Sequence, residues 1–375
     1  MTFAIVTGTR PEIVKIFPII RLFDLEDIDY KLIHTGQHYD YDLFLKFLKD
    51  FRLPRPDYNI SLMPSNTIHQ FSDILSNIGS VFEEIMPTAV MVEGDTNSVA
   101  SAAIAAVKCK IPLIHLEAGL RSYDWRMPEE YNRRLVDHIS DVLFTPTTES
   151  AKILYSERVA GSIYIVGNTV IDSVRLCNSI YEVNHIKSGI LNRNNIKSIV
   201  DNFVLLTLHR EENVDDRSVL KCILTALSST NLNYICPMHP RTVKRIHEFG
   251  LESLITKNIK IIEPVGYFDF LKLLKLSKFV ITDSGGLQEE ITSPYMNKRA
   301  LVLRNSTERP ESISSGHVIL CKLSFTDIIN SIQRIQNTDS PKCNCPYGDG
   351  YSAEKIIKIL RNEPIIPLSN RILVK

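Results

Sequence analysis

The chain has 375 residues, more than one hydrophobic core ordinarily supports, so two domains with a cleft between them are expected. Lysine plus arginine and aspartate plus glutamate number 43 each, which leaves no global field for nucleic acid or an anionic membrane and requires any phosphate site to be built locally. The seven cysteines are dispersed and odd in number, as suits reduced thiols rather than a disulfide framework. With no signal-peptide pattern and no apolar run of membrane-spanning length, a cytoplasmic protein with a small-molecule partner is expected.

In chain order, residues 3–7, 30–35, 89–93 and 112–116 are short apolar or β-branched runs, and helical stretches separate most of them. A further strand is read at 163–166. The alternation resumes with strands at 203–208, 234–237, 259–262 and 279–282 and with helices at 214–227 and 268–276. Residues 353–361 read as a closing helix whose apolar members are Ile356, Ile357, Ile359 and Leu360. The fold class is therefore α/β, with two doubly wound, Rossmann-like domains. Residues 1–168 form the first, 169–352 the second and 353–375 a final helix and tail.

The polar signatures fall in register with this pattern. Gly8-Thr9-Arg10-Pro11-Glu12, Thr35-Gly36-Gln37-His38, Gly94-Asp95-Thr96, Glu117-Ala118-Gly119, His209-Arg210-Glu211, His239-Pro240 and Asp283-Ser284-Gly285-Gly286 each follow directly on a strand. In an open parallel sheet the ligand crevice lies outside those carboxyl ends, so the segments converge on one edge in each domain. Ser284-Gly285-Gly286, between a strand and a helix, offers backbone N–H groups to a phosphate. Glu290 stands one turn later, near enough for a ribose hydroxyl, and Arg309 supplies a cation for a diphosphate.

Asp95 and Glu117 close consecutive strands, and Glu129 adds a third carboxylate from the helix start after Pro128, a set suited to proton traffic. The competing structural reading makes Asp95 and Glu129 helix caps and pairs Glu117 with Arg121 or Arg133. Arg10 and Lys15 straddle the first helix start, where both can approach an anionic leaving group, or else form a solvated face. His209 reads either as a phosphate donor and proton shuttle or as a satisfied structural histidine.

There is no Walker A sequence, no H-E-x-x-H and no G-x-S-x-G. Residues 348–353 fit a permissive dinucleotide pattern, but no convincing strand precedes them, so no redox cofactor is expected. His34 and His38 span a strand end and a glycine turn, and Cys343-Asn344-Cys345 has poor zinc spacing, so no metal is expected either.

Gly8-Thr9-Arg10-Pro11-Glu12, Gly94-Asp95-Thr96, His115 to Arg121, Pro128-Glu129-Glu130, Gly167 to Asp172, Asp283 to Glu290, Thr307 to Glu311 and Pro346 to Gly350 together resemble the non-hydrolysing UDP-N-acetylglucosamine 2-epimerases, in order and spacing through almost the full length. The resemblance implies a GT-B architecture with an interdomain cleft, a UDP-binding second domain and a last helix returning to the first. It also implies a homodimer and reversible, cofactor-free conversion of UDP-N-acetylglucosamine to UDP-N-acetylmannosamine.

By the same resemblance, Asp95, Glu117 and Glu129 share proton removal, proton return and cation stabilisation. Arg10, Lys15 and His209 hold the leaving diphosphate, Ser284, Gly285 and Gly286 cradle it, Arg309 adds charge and Glu290 meets the ribose. Gln37, His38, Arg133, Arg210 and His239 complete the substrate-binding set, and in some bacterial relatives a second substrate molecule binds there as an activator. The segment 122–127 is shorter than in common bacterial members. Pro11-Glu12 after Arg10 departs from the hydrolysing branch. The alternatives are C2 epimerisation of a 6-deoxy or diacetamido UDP-sugar, a retaining glycosyltransferase and a non-catalytic UDP-sugar sensor.

Overall fold

The computed structural model describes residues 2–37, 41–60, 62, 66–184, 202–338, 341 and 344–370; His38 and Cys343 lie outside them. The chain divides into two compact units, Met1–Leu176 together with Tyr347–Lys375, and Cys177–Pro346.

The first unit holds β1 (Phe3–Thr7), β2 (Tyr30–His34), β3 (Tyr58–Asn59), β4 (Ala89–Glu93), β5 (Leu113–Leu116), β6 (Val142–Thr145) and β7 (Ser162–Ile165). They form one sheet in the order β3-β2-β1-β4-β5-β6-β7, with every pairing parallel. The second unit holds β8 (Phe203–Thr207), β9 (Asn233–Pro237), β10 (Ile259–Ile262), β11 (Val280–Thr282), β12 (Ala300–Leu303) and β13 (Val318–Cys321). Their order is β10-β9-β8-β11-β12-β13, again parallel throughout. Both sheets reverse strand order at an inner pair, β1 with β4 and β8 with β11. That switch point is where an open α/β sheet leaves a crevice at its carboxyl edge.

Strands buried on both faces need continuous apolar runs, and β1 and β4 supply them as Phe-Ala-Ile-Val-Thr and Ala-Val-Met-Val-Glu, fully buried throughout. Helix Asn97–Lys108 presents Ala102, Ala103 and Ala106 to the core shared with Ile74, Ile78 and Phe82 of helix Thr67–Ile85. Small side chains on one helix admit large ones from the other at close range. Helix Arg10–Leu25 starts on a capping box in which Thr9 and Glu12 satisfy each other's end groups, with Pro11 in the first turn. Its far end is tied to helix Ser352–Asn362 by Arg361 Nη2 to Glu26 Oε2 at 2.7 Å.

Gly8 is required by close approach. A Cβ there would stand 2.0 Å from Ser98 Oγ and 2.3 Å from Thr35 Oγ1, so the first βα turn can lie against the start of the helix after β4 only without a side chain.

Candidate functional site

At the carboxyl edge of the first sheet, register sets the geometry. Glu93 pairs with Leu116 at the ends of β4 and β5, which brings Glu93 and Glu117 flush. Lys15, on helix Arg10–Leu25, lies between them: its Nζ bonds Glu117 Oε2 and stands 3.1 Å from Glu93 Oε1. Glu117 Oε2 also accepts from Asn168 Nδ2 at 2.7 Å. The Lys15 charge is thus engaged by two carboxylates. Glu117 has φ of 65°, a left-handed conformation uncommon outside glycine and often found where a functional side chain is aimed.

Asp95, on the next turn, accepts from Arg133 Nε at 2.8 Å and lies 2.6 Å from Arg133 Nη2. It is not a cap: Thr96 caps the helix, its hydroxyl accepting from Val99 N at 3.4 Å. Arg121 binds Asp137 and Glu157, and Arg133 binds Asp95 and Glu130. Glu129 is half-buried in the first turn of helix Pro128–Ile139. Its neighbour Glu130 is the structural acid, accepting from Ser122 N and Oγ at 2.9 Å and pairing with Arg133 and Arg134.

Behind Asp95 is a buried relay that the sequence reading passed over. His115 Nδ1 lies 2.8 Å from Asp137 Oδ1 and its Nε2 lies 2.9 Å from the carbonyl oxygen of Gly94. Asp137 also takes Arg121 and the Gly119 amide. Burial works against its charge, but the hydrogen bond and charge of His115 and those of Arg121 hold its carboxyl below the usual range. Gln37 is half-buried and closes the rim by accepting from Ser98 N at 3.0 Å and Ser98 Oγ at 2.6 Å. Arg10 is exposed at the helix start.

At the edge of the second sheet, Asp283 follows β11 with no solvent exposure. It accepts from His209 N and Arg210 N, both at 2.9 Å, and its Oδ1 lies 3.0 Å from His209 Nδ1. Burial raises the cost of its charge, yet the His209 contact and the two amides keep its carboxyl below the ordinary value. The buried acid orients an imidazole whose side chain is 40% exposed, leaving Nε2 for a ligand. His239 lies nearby, its ring centroid 6.4 Å from that of His209, and it caps helix Pro240–Glu248 by accepting from Arg241 N.

The turn after β11 runs Asp283-Ser284-Gly285-Gly286. The Ser284 amide donates to Thr282 Oγ1 at 2.9 Å, so the backbone donors left for an anion are those of Gly285 and Gly286, which have no acceptor among the described residues. A Cβ on Gly285 would stand 2.9 Å from Arg309 Nη1 and 3.5 Å from Arg210 Nη2, so both guanidinium groups border this turn. Arg309 is itself paired with Glu289 and Glu308. Glu290 Oε1 accepts from Tyr267 Oη at 2.9 Å.

A parallel sheet with paired acids at its switch point, followed by a second with an oriented histidine, arginines and a glycine turn at its own, is an α/β architecture of the GT-B class. The family model described as UDP-N-acetylglucosamine 2-epimerase matches residues 21–361, and the chain belongs to this family.

The UDP-N-acetylglucosamine 2-epimerase of Methanocaldococcus jannaschii is 40% identical over 96% of this chain and 99% of its own. A crystal structure of the Methanocaldococcus jannaschii UDP-GlcNAc 2-epimerase with UDP-GlcNAc and UDP is similar at a TM-score of 0.87 and 39% identity, covering 96% of this chain and 99% of that one. The UDP-2,3-diacetamido-2,3-dideoxy-D-glucuronate 2-epimerase of Pseudomonas aeruginosa is 32% identical over 96% of this chain and 99% of its own.

Proposed function

We propose that the chain interconverts UDP-N-acetylglucosamine and UDP-N-acetylmannosamine by eliminating and re-adding UDP. Family membership across nearly the whole chain carries the reaction class. The observation that carries the chemistry is the pair of acids on the first rim in unlike settings, Asp95 against Arg133 and Glu117 against Lys15.

The C2 hydrogen of the sugar is not acidic, so departure of the anomeric phosphate runs ahead of proton removal, and the developing oxocarbenium charge is met by carboxylates. The C1–O bond breaks with its electron pair leaving on UDP. The C2–H pair becomes the C1–C2 double bond of a 2-acetamidoglucal, and the proton passes to a carboxylate. In the reverse step the double bond takes a proton on the opposite face of C2 while a diphosphate oxygen re-forms the bond to C1.

Asp95, Glu117 and Glu129 share these transfers, and Lys15 and Arg133 hold two of them as carboxylates. Arg10, His209, Arg210, Gly285 and Gly286 receive the diphosphate, Arg309 braces the turn and Glu290 takes the ribose. Gln37 and His239 line the substrate site. On this reading the protein acts as a cytoplasmic dimer.

The test is incubation of the purified protein with UDP-N-acetylglucosamine, followed by proton NMR of the anomeric region. Two UDP-sugars at equilibrium support the reading; an unchanged spectrum, or release of free N-acetylmannosamine, overturns it. The second reading, a diacetamido UDP-sugar substrate, is favoured by the Pseudomonas aeruginosa relative and is tested by competing the two substrates.

A further inference from the structure

Glu93 ends β4 with only 2% of its surface exposed, and its Oε1 lies 3.1 Å from Lys15 Nζ without an aligned hydrogen bond. The same ammonium bonds Glu117. One cation therefore serves two carboxyl groups in a buried pocket, and a third acid, Glu12 of the same helix as Lys15, adds its field. Glu12 brings donors of its own, from Gly8 N at 2.6 Å, Thr9 Oγ1 at 2.9 Å and Thr96 Oγ1 at 2.7 Å. Glu117 has Asn168. Glu93 has Lys15 alone among the described residues.

Two ionised acids sharing one lysine would leave an uncompensated charge where desolvation costs most, so one proton must reside on the pair. It resides on the acid with fewer donors and less solvent. Lys15, Glu117 and Glu12 are the charged groups that act most strongly on Glu93.

Building on the epimerase reading, we propose that Glu93 is a positioning residue, a neutral carboxylic acid that leaves the Lys15 charge to Glu117 and so keeps Glu117 a carboxylate ready for proton exchange at the sugar. When Glu93 loses its proton at higher pH, Lys15 is shared between two anions. The rim then gains a negative charge, which disfavours the diphosphate and changes the basicity of Glu117. Burial, followed by the Glu117 and Glu12 charges and against the opposing pull of Lys15, moves the Glu93 carboxyl well above its usual range, in agreement with that order of ionisation.

The test compares wild type with Glu93→Gln, an amide of the same size that mimics the neutral acid. An infrared difference spectrum at pH 7 is expected to contain a carboxylic-acid carbonyl band, shifted in D2O, that is present in wild type and lost in the variant. The alkaline fall of kcat/KM, about tenfold per pH unit for a single proton, is expected in wild type and in Glu93→Asp but not in Glu93→Gln.

A missing infrared band, an unchanged alkaline limb in Glu93→Gln, or failure of this neutral isostere to fold would each overturn the proposal. The infrared band does not depend on turnover. A wild type that shows the band but does not epimerise contradicts the epimerase reading, whereas one that epimerises without the band contradicts this inference alone.

Discussion

On the rim of the first sheet the more accessible member of the key pair is the acid: the Asp95 side chain is 25% exposed and its partner Arg133 6%. On the rim of the second sheet the order is reversed, with His209 at 40% and its partner Asp283 at 0%. Each pair consists of a buried member that fixes geometry and an accessible one, and on the proposed function the accessible one meets the ligand, whose chemistry decides which sign is presented. A sugar carbon that acquires positive charge calls for carboxylates, and a departing diphosphate calls for donors. In both units the buried partner comes from an element other than the loop that carries the accessible group, so orientation is set by the fold rather than by the loop.

The comparison breaks most sharply at Asp95. Asp95→Asn is expected to lower the rate of C2 proton exchange by about a thousandfold or more while UDP affinity, measured by titration calorimetry, stays close to wild type. Equal losses of exchange and affinity would make Asp95 a structural partner of Arg133.

Away from the rims, one buried group in each unit titrates in the opposite sense to the other. Asp172, fully buried, accepts from Ala353 N at 2.8 Å, and burial raises its carboxyl to about 6. At Asp172 the folded state thus binds more protons than the unfolded chain, and this group's contribution to stability is lost as pH rises from near 4 to about 6. His317, 1% exposed, is lowered to about 4 by burial and then by the Arg299 charge. At His317 the folded state binds fewer protons, so this group's contribution to stability is lost as pH falls from about 6.5 to about 4. Each effect is at most about 3 kcal/mol. Hydrogen exchange in helix Ser352–Asn362 and in β13 should report the two slopes separately. Asp172→Asn is expected to flatten the first alone, and slopes of the same sign would contradict the assignment.

Asp283→Asn sharpens the comparison at the second rim. Loss of the buried charge behind His209 is expected to reduce kcat about 10- to 100-fold, as for other groups that orient a functional histidine. Glu289→Gln, behind Arg309, should act more on KM. A kcat unchanged in Asp283→Asn would leave His209 a binding group only.

Much of this arrangement is legible in the sequence because strand ends are local. The apolar runs of β1, β4, β8 and β11 are read close to their observed limits, and each is followed by a polar signature that the parallel topology sends to the carboxyl edge. What stays hidden is non-local pairing. Lys15 reads as a phosphate ligand by its place near a helix start, yet the β1-β4-β5 order places Glu93 and Glu117 on either side of it.

Glu93 itself reads as the polar end of a strand, and only the register with Leu116 reveals its role. Asp283 reads as the first residue after a strand, while its part in orienting His209 depends on β8 and β11 being neighbours. Strands β3, β6, β12 and β13 are not read from the sequence, and length alone does not set them apart, since β7, β10 and β11 are at most four residues long as well and are read.

The most direct test of the account is the fate of the hydrogen at C2. With UDP-N-acetylglucosamine in D2O, elimination and re-addition predict deuterium at C2 of the epimer formed and, on longer incubation, of the recovered starting sugar, with no exchange at other carbon positions. Formation of the epimer with its original hydrogen retained at C2 would contradict the proposed chemistry of Asp95, Glu117 and Glu129.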